Sequence, residues 1–182
     1  MLHQKIIENL CSKLEIPDLK AGNLTIRDEL GWRINEKRIG YSWLVNISNS
    51  FTDSCWLFSI QFNKSAFRKI QNPEQLIQGI FTVDGKGDII KFHMMKKIDD
   101  MEDKVKSLTS YDMFDANLSV TLNGIIYKYL IFAPNTEIRM TLNNPHSKNW
   151  RIWENEIQAI GKKLSQDSDS ETLKKIFDTT EK

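Results

Sequence analysis

The first sixteen residues repeat apolar side chains at the spacing of an amphipathic α-helix. Apolar positions recur every four residues, which places them on one stripe of a helix. Proline cannot continue a helix, so the pattern predicts a helix that ends before Pro17. The predicted stripe consists of Leu2, Ile6, Leu10 and Leu14, with Ile7 and Cys11 beside it.

From residue 24 the period changes to two, which is the period of a β-strand. Three alternating runs follow one another with short connections, and short connections favour an antiparallel meander. The alternating apolar residues are Leu24, Ile26, Leu30, Trp32 and Ile34; then Tyr41, Trp43, Val45 and Ile47; then Trp56, Phe58, Ile60 and Phe62.

The middle of the chain mixes helical and strand patterns. Between residues 63 and 79 the pattern is irregular and helical, with Asn72-Pro73-Glu74 typical of a helix start. The glycines at 85 and 87 predict a hairpin loop between strands at 80–83 and 88–94. Apolar residues at helical spacing within the charged segment 96–110 predict a surface helix.

Asn123-Gly124 is the strongest turn signal of the chain, because both residues tolerate the positive φ that a two-residue hairpin needs. It predicts a hairpin between strands at 116–122 and 125–132. The second strand is apolar on both faces apart from Lys128, so we expect it to be central. A last strand is predicted at 138–142.

The C-terminal part predicts a long amphipathic helix with two tryptophans, Trp150 and Trp153, on its apolar stripe. The fold class is therefore predicted to be α+β. We expect a mainly antiparallel, twisted sheet of about eight strands, an N-terminal helix, a charged middle helix and a C-terminal helix packed on the sheet. Residues 1–164 are predicted to form a single domain, followed by a flexible acidic tail at 165–182.

Composition limits the function classes. A net charge of +1 disfavours broad binding to nucleic acids or anionic membranes. No apolar run reaches the roughly 20 residues of a spanning helix, so no membrane insertion is expected. The two cysteines, Cys11 and Cys55, lie among apolar neighbours and are expected to be buried, reduced thiols, which favours a cytoplasmic protein.

Catalytic and metal-binding motifs are weak in this sequence. The three histidines, His3, His93 and His146, are scattered, and no HExxH or paired CxxC motif is present. Gly85-Lys86-Gly87 lacks the following helix that a phosphate-binding loop requires. No catalytic, cofactor-binding or metal-binding residue is therefore predicted, no cofactor is expected, and the protein is more simply interpreted as a non-enzyme.

Two sets of strand residues are candidates for binding. The first is a polar sheet face that could contact a protein partner: Asn46, Gln61, Lys91, His93, Thr121, Glu137 and Arg139. The second would line an apolar ligand cavity if the sheet curls into a barrel: Trp32, Trp43, Trp56, Phe58, Tyr127 and Tyr129.

The function that these patterns favour is a non-catalytic protein-binding module, such as an adaptor, inhibitor, immunity-like or chaperone-like factor, with a protein partner of unknown identity. One alternative is a small carrier of apolar ligands. A single-stranded nucleic-acid binder, with aromatic and basic residues interleaved on the sheet, and a cryptic enzyme are further alternatives. The oligomeric state is open.

Overall fold

The computed structural model describes residues 2–16, 18–20, 25–27, 33–49, 52–63, 76–96, 124–133, 136–143 and 148–178. The helices are α1 (Leu2–Leu14), α2 (Lys148–Gln166) and α3 (Glu171–Asp178). The strands are β1 (Thr25–Arg27), β2 (Arg33–Asn49), β3 (Thr52–Asn63), β4 (Leu76–Val83), β5 (Ile89–Met95), β6 (Ile125–Ala133) and β7 (Thr136–Asn143).

All described strands pair antiparallel in one sheet, in the order β5-β4-β3-β2-β6-β7. The short β1 pairs with the first part of β2, and β6 pairs with the second part of the same strand. This arrangement confirms the predicted α+β class and antiparallel sheet. The predicted count of about eight strands is not confirmed, because the expected strand at 116–122 and the charged helix at 96–110 lie outside the described residues.

The first strand of the predicted Asn-Gly hairpin, at 116–122, and Asn123 lie outside the described residues. Along its length β6 pairs with β2 on one side and with β7 on the other. The central position predicted for β6 is confirmed. The helical pattern expected up to residue 79 is also corrected, because β4 begins at Leu76.

Both faces of the sheet are buried over most of its strands, whereas the sequence predicted a polar face. We call the face under α2 and α3 the helix-pair face and the face under α1 the α1 face. The buried strand residues of the helix-pair face are Trp43, Val45, Ile47, Cys55, Leu57, Ile80, Tyr127, Tyr129 and Ile131. Those of the α1 face are Ile39, Leu44, Trp56, Phe58, Ile60, Ile77, Phe81, Leu130 and Phe132.

Helix α1 packs through the predicted stripe, with Ile6, Ile7, Leu10 and Cys11 buried. It ends before Pro17, as predicted. Glu15 takes a left-handed conformation with φ of 53°, and the amide of Ile16 donates to the carbonyl of Cys11 over 3.1 Å, which closes the helix C-terminus.

The loop between β4 and β5 confirms the predicted hairpin and supports α1. The Asp84 carboxylate accepts hydrogen bonds from the amides of Lys86 and Asp88, both over 2.9 Å. Side chains of α1 hold the outer side of this loop: Lys5 donates to the carbonyl of Lys86 over 2.7 Å, and Asn9 donates to the carbonyl of Gly87 over 2.9 Å. The loop therefore fixes α1 against the β4–β5 end of the sheet.

Helix α2 is attached to the sheet by an aromatic cluster and a polar link. The rings of Trp150 and Trp153 stack with centroids 4.4 Å apart, and Tyr127 meets both edge to face. The Tyr127 hydroxyl donates to Glu154 over 2.7 Å and accepts from Gln158 over 3.1 Å. Burial and the Glu154 carboxylate raise the pKa of Tyr127, so this hydroxyl keeps its proton.

The flexible tail expected at 165–182 is corrected for residues 165–178. Helix α2 continues to Gln166, and α3 packs into the core of the helix-pair face through the buried side chains of Leu173 and Phe177. A side chain at Gly161 would collide with the ring of Phe177, which shows how closely α2 and α3 approach. The segment has a charged composition, but its few apolar residues lie on one helical stripe and are buried.

Both cysteines are free and buried, as predicted. Burial raises the pKa of Cys11 to about 11 and that of Cys55 to about 12, from an ordinary value of 9.0. Ionisation of either thiol is therefore linked to the loss of the folded state.

Replacing Phe177 with alanine tests whether α3 belongs to the core. We expect Phe177→Ala to lower the free energy of unfolding by about 3–5 kcal/mol, because it leaves a cavity between α2 and α3. Thr172→Ala, at an exposed position of the same helix, is the matched control and should change stability little. Urea denaturation followed by circular dichroism measures both, and equal midpoints would contradict the packing of α3.

Alkaline pH should destabilise the protein through its thiols. Above pH 9 the thiols of the unfolded chain lose protons while the folded ones keep them, so stability falls as pH rises towards about 11 for Cys11 and about 12 for Cys55. Each thiol contributes a slope of about 1.4 kcal/mol per pH unit. Denaturation series between pH 8 and the alkaline limit should show a shallower slope for Cys55→Ala, and an unchanged slope would refute the linkage.

Candidate functional site

The structure divides the predicted polar face between the two sides of the sheet. Gln61, Lys91 and His93 lie on the helix-pair face, because their cross-strand neighbours belong to that side. Thr121 lies outside the described residues. The remaining three predicted residues share the α1 face: Asn46, Glu137 and Arg139.

Around these three, the α1 face has an area with polar and exposed side chains over β6 and β7. The register sets Lys128 between Asn46 and Thr141, and sets Ile126 between Ser48 and Asn143. We call this area the open patch. It consists of Ser48, Ile126, Lys128, Glu137, Arg139, Thr141 and Asn143.

The open patch is exposed because α1 packs over the other part of this face and leaves this area uncovered. The buried residues that contact α1 come mainly from β2, β3 and β4 and from the Leu130–Phe132 end of β6. On β7, Glu137, Arg139, Thr141 and Asn143 are all exposed. On β6, Ile126 is 36 % exposed and is the large apolar side chain of the area.

Electrostatically the open patch carries two cations and one anion. Arg139 is paired with Glu137 on its own strand, with a guanidinium nitrogen 2.6 Å from the carboxylate. Lys128 forms no ion pair with any described carboxylate. The patch therefore offers one uncompensated positive charge beside an exposed isoleucine.

His3, at the start of α1, borders the open patch. Its ring packs edge to face on Trp56, with centroids 5.5 Å apart. Burial, followed by the positive charges of Lys128 and Arg139, lowers the pKa of His3 below its ordinary value of 6.5. The neutral imidazole is therefore favoured at neutral pH, and an anion bound beside it would raise this pKa.

Asn46 has a structural role, and its side chain is not accessible to a partner. Its side chain is buried at the inner border of the open patch, and its amide donates to the carbonyl of Cys55 over 3.2 Å. This hydrogen bond spans β2 and β3. Asn46 therefore supports the strands behind the patch and offers little surface to a partner.

The predicted cavity lining is also divided between the two faces. Trp43, Tyr127 and Tyr129 lie on the helix-pair face, and Trp56 and Phe58 lie on the α1 face. Each of the five is buried in its own core cluster. Trp32 lies outside the described residues. The described members therefore face two separate layers and not one enclosed space.

The described part of the chain gives no support for a metal site or for a membrane-spanning helix. Within it, no three histidine, cysteine or acidic side chains come together as possible metal ligands. None of the helices α1, α2 and α3 combines the length and apolar composition that crossing a membrane would require.

Sequence reasoning missed most of the open patch. The sequence patterns do not identify Ile126, Thr141 or Asn143 as binding residues, and they mark Lys128 only as the charged residue of an apolar strand. That isolated lysine was the available signal, because a charge in a central strand must reach an uncovered side of the sheet. Its neighbours depended on strand register, which the alternation pattern does not supply.

Comparison with protein-family models, with curated protein sequences and with solved structures found no match to this chain.

Titration of His3 tests the electrostatics of the patch. Replacing Lys128 with glutamine removes a nearby positive charge, so the pKa of His3 should rise towards its ordinary value. Burial remains, so the rise should be partial. NMR titration of the imidazole protons measures this, with Lys148→Gln on α2 as the control. An unchanged His3 pKa in Lys128→Gln would contradict the proximity of the two side chains.

Proposed function

We propose that this protein is a non-catalytic protein-binding module that contacts its partner through the open patch. The observation that carries the proposal is the uneven covering of the sheet. Helices α2 and α3 cover one face and α1 covers most of the other, while six side chains of β6 and β7 remain accessible in one area. They are Ile126, Lys128, Glu137, Arg139, Thr141 and Asn143.

The patch combines one exposed apolar side chain with polar and charged groups. The exposed side chain of Ile126, at one end of the patch, gives apolar area for burial, and its polar and charged neighbours can form hydrogen bonds. The patch lies on hydrogen-bonded strands, so its backbone is held in place before binding. A preformed surface loses less conformational entropy when a partner binds.

The charges indicate the chemistry of the partner. Arg139 is already neutralised by Glu137 over 2.6 Å, whereas Lys128 is uncompensated among described residues. A partner surface with a carboxylate opposite Lys128 and an apolar side chain over Ile126 would complement both features. The same single charge is too small to support nucleic-acid binding, which depends on several phosphate contacts.

The proposed compartment is the cytoplasm. Its support is chemical: both thiols are reduced, buried and held in the protonated form. Free cysteines of this kind persist in reducing compartments.

Native co-purification followed by mass spectrometry tests the proposal. The full-length protein should retain a partner in stoichiometric amount, and Lys128→Glu should weaken that complex by about tenfold or more, because it reverses the uncompensated charge. Ile126→Lys should do the same by replacing the exposed apolar side chain of the patch with a charge. Binding of the purified partner to each variant gives the affinities.

Lys148→Glu is the matched control, since it makes the same charge reversal at an exposed position on α2. It should bind the partner like the unaltered protein. A partner that binds Lys128→Glu and Ile126→Lys normally, or the absence of any stoichiometric partner, would refute this function for the open patch.

A further inference from the structure

The two edges of the sheet differ in how they are protected. The edge strand β5 has α1 packed against one side and α2 against the other. Its pairing with β4 is interrupted by a register shift between Thr82 and Val83, and Lys91 lies on it. Helical cover, an irregularity and a lysine are the usual devices that prevent an edge from pairing with another chain.

The edge strand β7 has no register shift and no lysine along its length, and its two charged side chains, Glu137 and Arg139, are paired with each other. Its register with β6 continues without a shift from Ala133↔Thr136 to Ile126↔Asn143. It contains neither lysine nor proline. Six of its eight residues are exposed, and among the described strands it has a neighbour on one side only. A regular, exposed edge of this length is a template for a further strand.

The side chains of β7 alternate in a way that suits a second copy of the same strand. Ile138, Met140 and Leu142 lie on the helix-pair face, opposite Ile131, Tyr129 and Tyr127 respectively. The other row lies on the α1 face and is polar: Glu137, Arg139, Thr141 and Asn143.

Only some antiparallel registers of two β7 strands place the apolar row of one copy beside the apolar row of the other and the polar row beside the polar row. Opposite residues in an antiparallel pair point to the same side, so a register that pairs odd with even positions would set apolar beside charged side chains. Among the remaining registers, a two-fold axis at Arg139 would set two guanidinium groups opposite each other. A two-fold axis at Ile138 would pair only residues 136–140 of the two strands. Residues 141–143 of each copy would then extend beyond the start of β7 in the other copy.

An axis at Met140 satisfies every requirement. It pairs Ile138 with Leu142 of the second copy and Met140 with its own counterpart, so the apolar row is continuous. Arg139 then faces a threonine and Glu137 faces an asparagine. The two Arg139 side chains are diagonal neighbours, but each already has its own Glu137 at 2.6 Å. Residues 137–143 of both copies take part, which is nearly the whole strand.

We propose that two copies of this chain associate through antiparallel pairing of β7 with β7, about a two-fold axis at Met140. The two sheets then form one continuous sheet, and the interface is isologous. The axis is perpendicular to the sheet, so both open patches lie on the same side of the dimer. This inference depends on the edge strand alone and would stand if the open patch had no partner.

Disulfide trapping of the purified full-length protein tests the register. Under mild oxidation Met140→Cys should form a covalent dimer, because the two positions face each other across the axis with Cα atoms about 4.5–5.5 Å apart. Ile138→Cys and the unaltered protein, whose two cysteines are buried, should stay monomeric on non-reducing gels. Cross-linking of Ile138→Cys in preference to Met140→Cys would overturn the proposed axis.

Sedimentation over a range of protein concentrations tests the association itself without a cysteine. Ile138→Lys places a charge in the apolar row and should raise the dissociation constant of the dimer about tenfold or more. Ile90→Lys is the matched control, since Ile90 is 57 % exposed on the other edge and Ile138 is 40 % exposed on this one. A monomer at every concentration, or equal effects of the two lysines, would overturn the proposal.

Discussion

The pairing of β2 with β3 and β6 is the constraint on which the rest of the structure depends. Its register sets Val45 beside Leu57 and Tyr129, and sets Leu44 beside Phe58 and Leu130. Consecutive residues of β2 are therefore buried on opposite faces. A strand that is apolar on both sides cannot leave either side in water, so the sheet requires helices on both. The polar link between Tyr127 and Glu154 then fixes where α2 lies.

The geometry of helices explains why the covering is incomplete on one side. Neighbouring strands are about 4.8 Å apart, so six strands span about 24 Å, whereas a helix with its side chains is about 10 Å wide. Two helices, α2 and α3, pack on the helix-pair face. Of the described helices only α1 packs on the other, and its contacts with the loop at 84–88 hold it towards β5. The area left over lies on β6 and β7, which is where the polar side chains occur.

Local patterns predicted local structure well and tertiary neighbours poorly. The stripe of α1, the hairpin at 84–87 and the tryptophan face of α2 depend on periodicity and turn chemistry within one segment, and they formed as predicted. Trp43 and Trp56 each belong to an alternating row of apolar side chains in its own strand. They nevertheless lie on opposite faces, because Trp43 is paired with Ser59. Ser59 is three positions from Trp56 on β3, so the two side chains point to opposite sides. Alternation defines two sets of side chains in a strand but does not say which set faces which layer.

The same limitation explains the partial prediction of the candidate site. Glu137 and Arg139 were assigned to a polar face because they alternate with Ile138, and this assignment needed only β7. Lys91 and His93 were assigned to the same face by the same rule, but the register through β4 places them on the other side. Applying the same local rule to several strands therefore gives a mixed set of residues, since each additional strand contributes an independent choice of face.

The exposure of β7 is linked to the burial of β6. Lys128 is the one charged side chain of β6, and its neighbour on β7 is Thr141. A fully covered α1 face would enclose this ammonium group without a described carboxylate to neutralise it, which is costly in a low-dielectric interior. An uncovered area beside β7 keeps Lys128 in contact with solvent. The charge in the central strand, the packing of only one described helix on this face and the exposed edge strand are therefore linked.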